Sequence, residues 1–318
     1  MSAASRRGRN RAFADRHCTT PRALTPGDVS SLRVGPWRRL QPNAVRKLLE
    51  QYPDRSVWLP SSLEYIVTAP WRHRPEIAAI QELVAVGGAE NLISAAIDRC
   101  RRAGDHLVLA VEMDELRRPS FYERVGMDMI EEIMTYEIEV NTARQLPHLP
   151  PIEFRRVSTT NPEDVQALLA IDHVSFPWLW WNSAAEFRIY GDTPGVDLYL
   201  GLVDGRPISY LGLTTFPAWG HLDRVAVIPD MQGRGYGRSA IAFALATLTR
   251  TGARRVALST QKANLRSQLL YERFGFHRSP GFDYRLYGAQ LREPTPSLTA
   301  VPEETTTFDL DVWSNDEQ

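Results

Sequence analysis

Short β-branched runs alternate along the chain with longer stretches whose apolar residues recur every three to four positions. Leu222 to Ile228 reads as a strand and Ser239 to Arg250 as an amphipathic helix, followed by a second strand at Arg255 to Thr260 and a short helix. The same succession occurs earlier. Glu82-Leu-Val-Ala-Val86 resembles Asp223-Arg-Val-Ala-Val227, and Phe121-Tyr-Glu-Arg-Val-Gly-Met127 resembles Leu270-Tyr-Glu-Arg-Phe-Gly-Phe276. A weak internal repeat of this kind predicts two copies of one α/β unit. Val84 and Val225 lie 141 positions apart but Gly104 and Gly252 lie 148 apart, so the first copy lacks 7 residues between strand and helix end. The missing piece corresponds to Ile228-Pro-Asp-Met-Gln-Gly-Arg-Gly235, where the first copy keeps only Gly87-Gly88.

Before the second copy's strand come a strand near Phe154, helices around Pro162 to Phe176 and Asn182 to Tyr190, and a hairpin, Leu198 to Val203 and Pro207 to Thr215, turning at Asp204-Gly205. The expected division is a disordered basic tail at 1–31, a degenerate unit at 32–140, a proline-rich linker at 141–150, a complete unit at 151–291 and a disordered acidic tail at 292–318. Each unit is expected to be a mixed sheet flanked by helices.

Composition narrows the function classes. A formal net charge of −1 over 318 residues gives no basic excess to attract nucleic acid. Two cysteines in unrelated contexts, and no paired Cys/His spacing, point away from a disulfide framework and from a metal. No apolar run has the roughly 20 residues of a membrane span. The expectation is a cytoplasmic protein without nucleic-acid, membrane or metal partners.

The chemistry concentrates where the strand ending at Ile228 meets the following helix. Gln232-Gly233-Arg234-Gly235-Tyr236-Gly237-Arg238 is a glycine-rich turn at a helix N-terminus, where backbone N–H groups lack intrahelical acceptors and the helix dipole favours an anion. Such a turn suits a pyrophosphate, and Arg234 and Arg238 can add charge-assisted bonds. The Gly-x-Gly-x-Gly order fits neither the P-loop nor the Rossmann spacing. It resembles the coenzyme A loop of GNAT N-acetyltransferases, and Asn264, Tyr271 and Gly275-Phe276 are similar to that family's second signature. The likeness covers the whole second copy.

The resemblance implies an N-acyltransferase that moves an acetyl group from acetyl-CoA to a primary amine by direct attack in a ternary complex; an alternative is a non-catalytic acyl-CoA-binding sensor. It implies that backbone N–H groups of Val225, Ala226 and Val227 meet the acyl carbonyl, that Asn264 meets the pantetheine arm, and that Tyr271 protonates the departing thiolate. For the general base two residues stay open, His221 and Asp223, against a reading of both as a strand-edge pair. Strand alternation predicts His221, Asp223, Val225 and Val227 on one face. The acceptor is a small amine or a peptide amino terminus. Trp178, Trp180 and Trp181 form either an aromatic wall for it or a contact between the copies. The first copy, with Tyr122 matching Tyr271 and Glu115 in place of Asn264, is expected not to bind coenzyme A but to complete the acceptor cleft or prop the sheet of the second copy; the alternative is a site for a regulatory ligand.

Overall fold

The computed structural model describes residues 20–32, 40–113, 117–292 and 298–299. The first half comprises β1 (Arg22–Ala23), α1 (Pro42–Gln51), β2 (Val57–Leu59), β3 (Glu64–Trp71), β4 (Arg74–Val84), α2 (Ala89–Ala103), β5 (Leu107–Glu112), α3 (Pro119–Arg124) and β6 (Asp128–Glu139). The second comprises β7 (Glu153–Arg156), α4 (Pro162–Ser175), α5 (Ala184–Gly191), β8 (Val196–Val203), β9 (Arg206–Phe216), β10 (Trp219–Val227), α6 (Tyr236–Arg250), β11 (Arg255–Gln261), α7 (Leu265–Phe274), β12 (His277–Arg278) and β13 (Tyr284–Gln290). The β8–β9 hairpin turns at Asp204-Gly205, both with positive φ, as its sequence predicts.

Two tandem mixed α/β units are present, but they share one sheet of 13 strands in the order β1-β2-β3-β4-β5-β13-β6-β11-β10-β9-β8-β7, with β12 pairing on β6. The order reveals an exchange. The last strand of the first half, β6, pairs antiparallel with β11 of the second, from Glu139 opposite Arg255 to Ile133 opposite Gln261. The last strand of the second half, β13, pairs antiparallel with β5 of the first. Packing follows the pairing. Tyr136 and Ile138 are buried in the second half's core with Leu258, Tyr271 and Phe274, while Tyr287 and Ala289 are buried in the first half's core with Leu92, Ile97 and Tyr122. Each fully buried aliphatic or aromatic side chain contributes roughly 1.5–3 kcal/mol, so neither core is complete without the other half.

Two segments differ from their expected character. Of the basic tail, residues 20–31 are docked: β1 pairs with β2, and Leu24 and Val29 are buried beside Val45, Leu49 and Tyr65. Those two apolar side chains and the β1–β2 pairing anchor the segment; residues 1–19 lie outside the described residues. Of the acidic tail, only Arg292, Leu298 and Thr299 are described, and Leu298 is buried near Ile77 and Leu179.

The halves also meet at the tryptophan loop. The β3–β4 hairpin turns through Arg72 and His73, both with positive φ, and inserts its tip there. Trp71 Nε1 donates to the Leu179 carbonyl at 2.8 Å, Arg72 Nη1 to Asn182 Oδ1 at 2.7 Å, and Ser183 Oγ to the Arg72 carbonyl at 3.0 Å. The Arg74 guanidinium lies 4.4 Å from the Trp178 ring centre, and Trp71 meets Trp180 edge to face at 5.9 Å. The two readings of the tryptophan cluster resolve as a contact between the copies. Trp180 Nε1 also donates to Glu131 Oε2 of β6 at 2.6 Å. Burial pushes the Glu131 carboxyl up to about 7 from an ordinary 4.5, outweighing the stabilisation of its anion by that bond.

A folded-state pKa above the unfolded one stabilises the fold most below the unfolded value, and the contribution disappears as pH rises through the folded value. Glu131 therefore contributes fully below about pH 4.5 and loses its contribution through about pH 7. Denaturant titrations should find Glu131→Gln increasingly favoured over wild type as pH rises across this window, by about 2–3 kcal/mol above it. A difference independent of pH would contradict the assignment.

Candidate functional site

The site begins where β10 leaves β11. The two strands pair in parallel only from Trp219 opposite Arg255 to Leu222 opposite Leu258, although β10 continues to Val227 and β11 to Gln261. Beyond Leu222 they diverge and open a notch, and among the described residues the edge of β10 facing it pairs with no strand from Asp223 to Val227. The other edge of β10 stays paired with β9 to its end.

A bulge lies at the opening. Leu222 pairs with Leu213 and Arg224 with Gly212, so Asp223 is an extra residue in β10. This overturns the expectation of His221, Asp223, Val225 and Val227 on one face, because a bulge resets the alternation. Leu222 and Val225 pack with the α6 core, whereas Ala226 packs beneath α4 with Leu168 and Tyr210. His221, Asp223 and Arg224 all reach toward the α4–α5 side. His221 Nδ1 lies 2.7 Å from Asp223 Oδ1, and Asp223 Oδ2 accepts hydrogen bonds from Thr214 Oγ1 at 2.6 Å and from the Tyr190 hydroxyl. A carboxylate engaged by three donors holds the imidazole in place through an Nδ1–H bond, leaving Nε2 as the open nitrogen. Arg224 next to it is buried: Nη2 reaches Asp172 Oδ1 at 2.7 Å, Nε reaches the Tyr210 hydroxyl at 2.7 Å, and the guanidinium lies 3.9 Å from the Phe176 ring centre.

At the end of β10 the chain makes a short turn at Pro229–Met231 and enters α6. Gly233 and Gly235 have φ of +77° and +89°, which a Cβ resists. A Cβ on Gly235 would also lie 3.0 Å from Arg238 Nη2 and 3.1 Å from Pro150 Cδ. The linker runs alongside, with the Pro150 carbonyl accepting from Ser239 Oγ at 2.8 Å, so it braces the turn from the side. Gly233 and Arg234 themselves are exposed. Among the described residues, no acceptor meets the backbone N–H of Gly233, Arg234, Gly235, Tyr236 or Gly237. Gln232 is committed: its N–H bonds Pro229, Nε2 donates to the Val227 carbonyl at 2.8 Å, and Oε1 accepts from Arg266 Nη1 at 2.5 Å. The turn therefore offers five free amides and nearby cations from Arg234, Arg238 and Arg266, a donor set that fits a pyrophosphate.

Across the notch, Asn264 caps α7, its Oδ1 accepting from the Ser267 N–H at 3.2 Å, which leaves its Nδ2 as a donor. Tyr271 is buried between Tyr136 and Phe276, and burial pushes its hydroxyl up to about 12, against a lowering bond with Ser267.

Residues 165–276, which contain all of these features, match the acetyltransferase (GNAT) family. The second half carries a GNAT domain. Solved structures extend the likeness to both halves. A GCN5-related N-acetyltransferase from Sphaerobacter thermophilus is 17% identical with a TM-score of 0.56, covering 88% of this chain and 98% of its own. A tandem GNAT protein from the clavulanic acid biosynthesis pathway is 14% identical with a TM-score of 0.55, covering 86% and 99%. A probable N-acyltransferase of unknown function from Enterococcus faecalis is 9% identical with a TM-score of 0.60, covering 85% and 72%. At these identities the structures establish a shared fold. No curated protein sequence matches the chain. Among the described residues there is no helix long and apolar enough to cross a membrane, and no group of three His, Cys, Asp or Glu placed to hold a metal ion.

The first GNAT-like unit has the same fork, with β4 and β5 paired only from Ile77 opposite Leu107 to Ala79 opposite Leu109. Its helix N-terminus, however, is filled from within. The buried Glu64 carboxylate accepts the N–H groups of Val86, Gly87 and Gly88 at 2.9, 3.2 and 2.7 Å, satisfying the amides that the GNAT domain leaves open. Tyr122, the counterpart of Tyr271, donates to Glu112 at 2.5 Å and stacks on Tyr287 at 3.9 Å; Glu115 lies outside the described residues. Glu64 carries no sequence signal, being one acidic residue in an otherwise apolar strand, and the same holds for Tyr190 and Thr214 behind Asp223. Val86 and Gly87 are exposed, so water can replace part of what the buried Glu64 carboxylate supplies, and its loss costs about 1–3 kcal/mol. Glu64→Ala should lower the unfolding free energy found in denaturant titrations by that much, and a change under about 0.5 kcal/mol would contradict the cap.

Proposed function

We propose that the GNAT domain transfers an acetyl group from acetyl-CoA to a primary amine by direct attack in a ternary complex. The observation that carries this reading is the row of five acceptor-free amides at the end of a strand that splays from its neighbour. Acetyl-CoA supplies the activated acyl group as a thioester. The amides of Gly233 to Gly237, with Arg234 and Arg238, hold the pyrophosphate, and Gln232 fixes the turn to β10. The unpaired edge from Val225 through Ala226 to Val227 presents backbone N–H to the acyl oxygen, where it also stabilises the negative charge that develops on attack. Asn264 uses its free Nδ2 toward the pantetheine arm.

An alkyl amine is only about one part in 10³ neutral at pH 7, so a residue must take a proton. His221 accepts it on Nε2, held in orientation by Asp223, which Tyr190 and Thr214 anchor in turn. As the C–N bond forms and the C–S bond breaks, Tyr271 protonates the departing thiolate. A hydroxyl held near 12 keeps its proton throughout the neutral range. In the cell this fits a soluble protein acting in the cytoplasm on a small amine or peptide amino terminus, with residues 32–140 as the supporting unit and 151–291 as the catalytic one.

A thioester-cleavage assay over a broad amine panel tests the reading. His221→Ala and Tyr271→Phe should each lower kcat by about 10²-fold or more while leaving coenzyme A affinity within a few fold. Unchanged turnover in both would remove them from the mechanism. Gly235→Val, which forces a branched side chain into φ +89° beside Pro150, should abolish coenzyme A binding measured by calorimetry. Tight binding with no transfer to any amine would favour an acyl-CoA sensor instead.

A further inference from the structure

The β9–β10 hairpin closes through Pro217 and Ala218, with Phe216 directly opposite Trp219. Their ring centres stack at 4.1 Å, yet the two residues remain 39% and 40% exposed. Register fixes the side they occupy. Two positions further along, Thr214 pairs with His221, and Thr214 Oγ1 reaches Asp223, so Thr214, Phe216, Trp219 and His221 share the α5 side of the sheet. Gly220, between Trp219 and His221, faces the other way, since a Cβ there would lie 2.7 Å from Leu248 Cδ2 of α6. The Trp219 ring centre lies 6.4 Å from that of the His221 imidazole, edge to face. The hairpin tip is also held by its backbone, the Ala218 carbonyl accepting from the Arg254 N–H at 2.8 Å.

Phe216 covers one face of the Trp219 ring. Toward the other face, β11 places Arg255 opposite Trp219 and Ala257 opposite His221, and β6 places Glu137 opposite Ala257. Ala257 is partly exposed and fills little space, so His221 and Glu137 border an open trough two strand spacings wide, about 10 Å, with only a methyl group between them. The charges along this trough are matched. Arg255 Nε lies 3.2 Å from Glu139 Oε1 and its Nη1 3.7 Å from Glu137 Oε2, while His277 Nε2 lies 3.7 Å from Glu137 Oε1. What stands exposed and unmatched beside His221 is therefore apolar and planar, a surface that an aromatic ring covers with release of water and favourable ring packing. An amine within about 3 Å of His221 Nε2 and a ring packed against Trp219 are joined by a spacer of about two or three carbons, at bond lengths of about 1.5 Å.

We propose that Trp219, backed by Phe216, is the specificity-determining wall of the acceptor site, and that the acceptor is a primary amine with an aromatic ring a short spacer from its nitrogen. The proposal rests on the acetyl-transfer reading, with His221 as the group that takes the amine proton. It is tested with the full-length protein and acetyl-CoA on two sets of acceptors: 2-phenylethylamine and 3-phenylpropylamine against butylamine and hexylamine. The aryl amines should show a KM about tenfold lower than the alkyl amines. Trp219→Ala should erase that gap by raising the KM of the aryl amines, with kcat changed by less than a few fold, and Trp219→Phe should keep part of it. Equal KM for aryl and alkyl amines in wild type overturns the proposal, and so does an aryl preference that survives in Trp219→Ala. The wild-type comparison stands by itself should a variant not fold. Calorimetry with N-acetylated 2-phenylethylamine in the absence of acetyl-CoA separates the two failures: binding that Trp219→Ala removes, without turnover of any amine, supports the aromatic wall while defeating acetyl transfer; brisk acetylation of aryl and alkyl amines alike does the reverse.

Discussion

Strands β10 and β11 can hydrogen-bond to each other only as far as Leu222, because the extra residue at Asp223 twists β10 away. Everything functional in the second half follows from that divergence. The bulge turns the side chains of His221, Asp223 and Arg224 toward α4 and α5, bares the backbone edge of Val225 to Val227, and delivers the chain to α6 with five amides open. A β-sheet that continued to pair would have satisfied those groups internally and closed the notch. The GNAT domain keeps its most polar backbone where a ligand can complete it.

The first half shows what the same fork becomes when completed by protein. Its shorter loop carries no room for the phosphate turn, and Glu64 supplies the negative charge that the helix N-terminus favours. What remains is structural, and the dependence is mutual: β6 finishes the second core with Tyr136 and Ile138, β13 finishes the first with Tyr287 and Ala289, and Tyr136 lies 6.2 Å from Tyr271. Exchange of these strands ties the position of the proposed general acid to a strand from the other half. The β3–β4 hairpin makes a second tie at the tryptophan loop.

Much of this was legible in the sequence. The strand, glycine-rich turn and helix of the second copy, the β8–β9 hairpin, the internal repeat and its 7-residue deletion all depend on local periodicity and turn chemistry, which short windows contain. What escaped was set by long-range geometry. Nothing in Leu222-Asp223-Arg224 announces a bulge, so strict alternation misplaced Val225 and Val227. Strand exchange leaves each half's own pattern unchanged, since β6 and β13 read as ordinary strands whichever core they enter. Leu24 and Val29 were too few apolar residues to signal docking of the tail. The tryptophans could be narrowed to two readings, and only the packing of Arg72 and Arg74 against them decided between the two.

The proposed function requires that the amides of Gly233 to Gly237 grip a diphosphate, while the matching amides of the first half are already occupied by Glu64. Backbone hydrogen exchange of the full-length protein, followed with and without coenzyme A, addresses both parts in one measurement. Slowed exchange is expected across Gly233 to Gly237 on adding coenzyme A, with exchange at Val86 to Gly88 unchanged. Protection appearing at Val86 to Gly88, or at neither segment with coenzyme A in large excess, would contradict it.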